Sequence, residues 1–121
     1  MVNGPLGTHQ VTSAFTCKSK DLVYAIICSQ CNMIYVGETY RTLDERFRVH
    51  LSSVINGSAE TDRRRFPVGR HFNLPHHVYT DHLQVSAIWQ NSKDRQYRKF
   101  MESSLIERLS CKEPLGINIR S

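Results

Sequence analysis

Apolar residues cluster along this chain with two different periods, and the change of period marks its elements. Leu22-Val23-Tyr24-Ala25-Ile26-Ile27-Cys28 is a continuous apolar run of strand length, and Met33-Ile34-Tyr35-Val36-Gly37 is a second one beyond a short polar break. Two such runs this close together predict a β-hairpin. A two-residue turn at Ser29-Gln30 would set Tyr24 across from Tyr35 and Cys28 across from Cys31, whereas a four-residue loop would move Tyr24 toward Gly37. From Thr42 the period becomes helical, with Leu43, Phe47, Leu51, Val54 and Ile55 on one stripe. Thr42 with Asp44 and Glu45 makes a capped, acid-rich start, and Asn56-Gly57 supplies the stop. Ser58 to Arg65 is polar and reads as a loop, after which Pro67 opens a short helix through Phe72. Leu83 to Trp89 alternates loosely and predicts a third strand paired with the hairpin. Asp94 can cap a last helix whose Tyr97, Met101, Leu105 and Leu109 sit at helical spacing and which ends before Pro114.

This order of elements predicts an α+β fold, a small three-stranded antiparallel sheet flanked by helices. A chain of 121 residues, 40% of them hydrophobic, carries one core and not two. Residues 1–20, with Gly4, Pro5 and Gly7 and no periodicity, read as a flexible lead-in to a single domain at 21–121. No apolar run approaches the roughly 18 to 20 residues of a membrane span, and the N-terminus lacks the layout of a secretory signal. A soluble, intracellular protein with no membrane partner is the expectation.

The net charge of +5 and pI near 9.2 arise from clustered basic residues, notably Arg63, Arg64, Arg65 and Arg70, and the stretch Arg95, Arg98 and Lys99. Such clusters point to a polyanion, although an ordinary basic surface gives the same charge, so site residues must decide. Four cysteines include the pair Cys28-Ser29-Gln30-Cys31, whose spacing suits metal ligation or redox work. Cys17 and Cys111 read as free thiols. His71 and His77 offer a second ligand pair that would complete a Cys2His2 set with Cys28 and Cys31, and on spacing alone His76 or His82 could replace His77. Redox chemistry wants a CxxC at a helix N-terminus, whereas this one lies between strands.

The two tyrosines of the hairpin remain near neighbours in either register. Gly37 at the strand end lets another group approach the backbone, and Arg46 and His50, at i and i+4, project from one helix face toward that end. Singly, each has an ordinary explanation: strands favour aromatics, and helical Arg and His are usually solvated. Together Val23-Tyr24, Tyr35-Val36-Gly37-Glu38-Thr39, Leu43, Arg46, His50, Glu102 with Leu105-Ile106 and Leu109, and Gly116-Ile117-Asn118 form an ordered string. From about Asp21 to Asn118 this string resembles the GIY-YIG nuclease pattern, with Leu22 where the family has its first glycine. The pattern is most similar to the endonuclease domain of Penelope-like retroelements, through the CxxC between the tyrosine motifs and Pro67-Val68-Gly69-Arg70-His71-Phe72 with a later His.

The resemblance implies a metal-dependent endonuclease that hydrolyses DNA phosphodiester bonds. It assigns Glu102 to the single divalent cation, Mg2+ or Mn2+, although Glu107 is equally visible without it. Arg46 would bind the scissile phosphate. Tyr24 or His50 would be the general base, a choice left open here, because an unperturbed phenol is a poor base at neutral pH. Tyr35 would orient water or phosphate, with Gly37 and Asn118 in support. The likeness also favours His71 and His77 as partners of Cys28 and Cys31 in a structural Zn2+ site. Arg41, Arg63, Arg64, Arg65 and Arg70 would contact the DNA backbone. DNA is the expected partner, with no small-molecule substrate. A retroelement origin would place a reverse transcriptase in the same polyprotein or assembly and the site of action in the nucleus. Two other classes compete: a non-catalytic, zinc-stabilised nucleic-acid-binding module, and a CxxC thiol oxidoreductase.

Overall fold

A computed structural model describes residues 2–4, 7–9, 20–90 and 94–119 of the chain. Strands β1 (Val2–Gly4) and β2 (Gly7–His9) pair with each other in a separate antiparallel ladder. Residues 10–19, which hold half of the expected lead-in and Cys17, lie outside the described residues. The main sheet contains β3 (Leu22–Cys28), β4 (Ile34–Thr39) and β5 (Leu83–Gln90), all antiparallel in the order β4-β3-β5. Four helical segments flank it among the described residues, two of them single turns or little more: α1 (Leu43–Ile55), α2 (Pro67–His71), α3 (Tyr79–His82) and α4 (Arg95–Arg108).

Strand β3 is central, and its alternate residues feed two cores. Val23 and Ala25 pack with Val36, Ile88, Leu105, Ile106 and Leu109 on the α4 side. Leu22, Tyr24, Ile26 and Cys28 pack with Leu43, Val54, Val68 and Phe72 on the side of α1 and α2. Burial on both faces explains why β3 is a continuous apolar run without alternation. Helix α1 begins where expected: the Thr42 hydroxyl caps it by accepting from Glu45 N at 3.1 Å, and donates to Glu45 Oε1 at 2.9 Å. Its stripe is shorter than predicted, because Ile55 in the last turn is 58% exposed.

The hairpin adopts the longer of the two expected connections. Tyr24 pairs with Gly37 and Ile26 with Tyr35, while Cys28 N donates to Met33 O at 2.9 Å and closes a loop over residues 29–32. At the open edge of β4 the C-terminal segment supplies the missing partners. Ile117 N donates to Ile34 O at 3.0 Å. The Asn118 amide donates to Val36 O at 2.9 Å and accepts from Val36 N at 2.8 Å, so one side chain replaces a strand. The one-turn helix α3 was not predicted, since four residues without an apolar period leave no signal. No helix among the described residues is long and apolar enough to cross a membrane.

Candidate active site and metal cluster

Cross-strand pairing puts Tyr24 beside Gly37, and helix α1 lays Arg46 and His50 over them. The Tyr24 hydroxyl lies 2.6 Å from His50 Nε2 and accepts from Arg46 Nε at 3.1 Å. A guanidinium can only donate, so the Tyr24 proton is directed to His50 Nε2 as acceptor. The Tyr35 ring centroid is 6.5 Å from that of Tyr24 and 5.2 Å from that of His50. A Cβ on Gly37 would sit 2.5 Å from the Tyr24 oxygen, so only glycine leaves room for this phenol. Burial, reinforced by Tyr35 and opposed by Arg46, raises the Tyr24 pKa far above that of a free phenol. Burial and then the Arg46 charge push His50 down to about 3, which leaves a neutral imidazole at neutral pH.

A groove of about 810 Å³ opens over the β4 edge and is lined by Tyr35, Arg46, Glu102 and Asn118, with Arg41, Arg64 and Arg65 at its walls. Tyr24 and His50 are buried one layer behind, so Tyr35 and Arg46 are the members of the quartet that meet the groove. Glu102 reaches it from α4. Burial raises the Glu102 pKa, and the nearby Lys99 ammonium only partly offsets this. Glu107, its rival in the sequence, is exposed and does not line the groove.

Not every basic residue faces as its charge predicts. Arg98 is 3% exposed, with Nε 3.0 Å from Glu38 Oε2 and one terminal nitrogen 3.4 Å from Asp21 Oδ1. Its place in a polyanion-binding stretch is therefore corrected to a buried ion pair. Arg63 and Arg70 line a separate cavity of about 380 Å³ beside Cys31 and His71, and Arg63 Nε is 3.8 Å from Glu113 Oε1. In the sequence Glu38 stands only as part of the motif and Lys99 only as part of a basic stretch, with nothing to pair them. Lys99 Nζ lies 3.2 Å from Glu38 Oε1 and 3.7 Å from Glu102 Oε1. The Glu directly after Tyr-Val-Gly was the one available signal.

At the other end of β4 the hairpin loop meets α2. One ligand atom from each of Cys28, Cys31, His71 and His77 lies within 4.8 Å of the other three. Cys31 Sγ is 3.3 Å from His71 Nε2, and the His71 and His77 rings are 4.7 Å apart. His77 Nδ1 contacts Pro75 O at 3.0 Å, which makes it the protonated nitrogen, and Nε2 is buried without a partner. A lone pair orphaned among two thiols and a second imidazole fits a tetrahedral Zn2+ site. His76 is exposed and His82 Nδ1 accepts from Val78 N at 3.0 Å, so neither takes the place of His77. Burial pushes Cys28 up to about 11, the reverse of an activated redox thiol. Cys111 is a buried free thiol, as expected.

The family model for the GIY-YIG catalytic domain matches residues 20–110. Among solved structures, the chain is similar to the catalytic domain of the homing endonuclease I-TevI, with a TM-score of 0.64 at 19% identity over 84% of this chain and 100% of that one. A mutant of the same intron endonuclease domain gives 0.65 at 20% identity over 83% of this chain and 93% of that one. At such identities the likeness establishes the fold. No curated protein matches the chain.

Proposed function

This chain belongs to the GIY-YIG family, and from that premise we propose that it is a divalent-metal-dependent endonuclease that hydrolyses DNA phosphodiester bonds. The observation that carries the proposal is the Tyr24–His50–Arg46 hydrogen-bonded set standing directly behind a groove that Tyr35, Arg46 and Glu102 share. Of the two groove carboxylates, Glu38 is held by Arg98 and Lys99, and Glu102 is the one suited to a hard cation, Mg2+ or Mn2+, which when bound would act as Lewis acid and stabilise the leaving oxygen.

The protein's own groups account for the remaining needs. Arg46 presents a fixed positive charge to the scissile phosphate while its Nε steadies Tyr24. Tyr35, at the groove wall, orients the attacking water. The proton lost by that water enters at the phenols and leaves along the Tyr24 hydroxyl to His50 Nε2. Tyr24 thus serves as the base and His50 as the acceptor behind it. Burial first and the Arg46 charge second hold the His50 pKa near 3, which makes it a weak acceptor at rest. A phosphate on Arg46 neutralises that charge and makes His50 more basic as substrate arrives. Arg41, Arg64 and Arg65 supply salt-sensitive backbone contacts along the groove.

Cys28, Cys31, His71 and His77 would hold a structural Zn2+, since four protein ligands complete a tetrahedral set. The CxxC and the Pro67 to Phe72 segment support a retroelement origin, with a reverse transcriptase as companion and a nuclear site of action. Nicking of supercoiled plasmid in Mg2+ tests the enzyme directly: wild type relaxes it, and Glu102→Ala and Arg46→Ala do not. Identical traces for all three proteins would instead establish the non-catalytic binding module.

A further inference from the structure

An ammonium group already sits where the groove's carboxylates converge. Lys99 Nζ is 3.2 Å from Glu38 Oε1 and 3.7 Å from Glu102 Oε1, and all three residues line the groove. The two sides of this bridge differ in freedom. The Glu38 side chain is 10% exposed, and its second oxygen is held at 3.0 Å by Arg98, whose side chain is 3% exposed. The Lys99 side chain is 49% exposed, with its ammonium at the end of a flexible four-carbon stem. Glu38 is therefore the anchored partner and Lys99 the movable one. Three positions before Glu102 on the same helix, Lys99 is fixed by helical geometry within reach of that carboxylate.

A divalent cation on Glu102 would meet this ammonium at short range and be repelled by it. We propose that Lys99 is the resident counter-cation of the groove, which neutralises Glu102 when no metal is bound and is displaced when a divalent cation takes that carboxylate. Glu38 is the positioning residue that keeps Lys99 at hand and adds negative charge beside the site. Lys99 thereby sets the metal concentration the enzyme needs. The inference rests on Glu102 being the cation ligand.

Mn2+ binding, followed by electron paramagnetic resonance without DNA on protein saturated with zinc beforehand, tests both steps separately. Lys99→Met should bind Mn2+ about two- to fivefold more tightly than wild type, the equivalent of losing one partly exposed ion pair. Glu38→Gln should bind it more weakly, and Lys99→Arg, which keeps the charge, should stay close to wild type. Both Lys99→Met and Glu38→Gln break the same ion pair. A purely structural pair would move metal affinity in one direction or not at all, so opposite signs identify the competition. Melting temperatures of each variant separate affinity from stability. Affinity that is unchanged or weaker in Lys99→Met, or no weaker in Glu38→Gln, overturns the inference. Glu102→Gln locates the failure. If it binds Mn2+ like wild type, the assignment of Glu102 falls and the inference with it; if it loses Mn2+ while Lys99→Met gains none, only the role of Lys99 is wrong.

Discussion

A phenol pressed against a guanidinium and sealed from solvent makes sense only if its proton has somewhere to go. Arg46 and His50 divide that task, one holding the Tyr24 oxygen and the other facing its proton. Replacing Arg46 by Ala removes the contact proposed for the phosphate and one partner of Tyr24. Single-turnover cleavage should then fall by about 10²- to 10³-fold, and Arg46→Lys should recover little of it, because an ammonium cannot reproduce the planar fork. His50 leaves a separate trace in the pH dependence of stability. Its folded pKa is about 3, against 6.5 when free, so between these values the unfolded chain binds the extra proton. Stability attributable to neutral His50 is complete above about 6.5 and is lost as pH falls toward 3. The steep part of that loss amounts to about 1.4 kcal/mol per pH unit. Urea titrations of wild type and His50→Gln from pH 7 to pH 4 should show the gap between them closing as the pH drops. A constant gap would mean that folding does not depress the His50 pKa, and a gap that widens as the pH drops would mean that His50 is protonated, and donating, in the folded enzyme.

At the level of elements the site depends on how β4 is held against β3 and α1. Gly37 is the contact point, since a methyl group there would fall 2.5 Å from the Tyr24 oxygen and 2.6 Å from Cζ of the same ring. The ring cannot retreat without surrendering His50 and Arg46. Gly37→Ala should cost about 1 to 3 kcal/mol in denaturant titration, and cleavage well below the melting temperature should fall far more than that loss explains. Most elements could be read from the chain because each burial pattern leaves a period. Those that could not be read lack one. A strand buried on both faces, like β3, has no alternation to fix its register, which here follows from the loop at 29–32 and the left-handed Asn32, φ 60°. Tyr35, Arg46 and Glu102 of the groove, with His50 behind it, were legible through an ordered string of residues. The ion pairs behind Glu102 were not, because a formal charge does not report burial. Arg98 reads as a surface cation until its partner Glu38, 60 positions away, is brought beside it.

Across the whole molecule, the ends of β4 carry separate duties. Ile34 starts the strand next to the Cys28–Cys31 loop, and Glu38 and Thr39 end it in the groove. The thiol and imidazole atoms at the first end lie within 4.8 Å of one another and join the hairpin loop to the segment holding α2 in a small domain. A zinc ion there would stabilise the domain without touching the chemistry, as Cys28, Cys31, His71 and His77 are absent from the groove wall. Elemental analysis should therefore find one zinc per chain, lost in Cys31→Ser. Removing it with a zinc-selective chelator should lower Tm by more than about 10 °C, since each kcal/mol is worth roughly 4 °C in a chain of this size. Mg2+ should not restore that loss, because a hard oxygen-seeking ion does not replace zinc on thiolate and imidazole. Below the lowered Tm the stripped protein should still cleave DNA in Mg2+, at a rate per folded molecule close to that of the zinc form. Cleavage that vanishes while the fold persists would make the cluster part of the active site and would mean that the two ends of β4 are mechanically coupled.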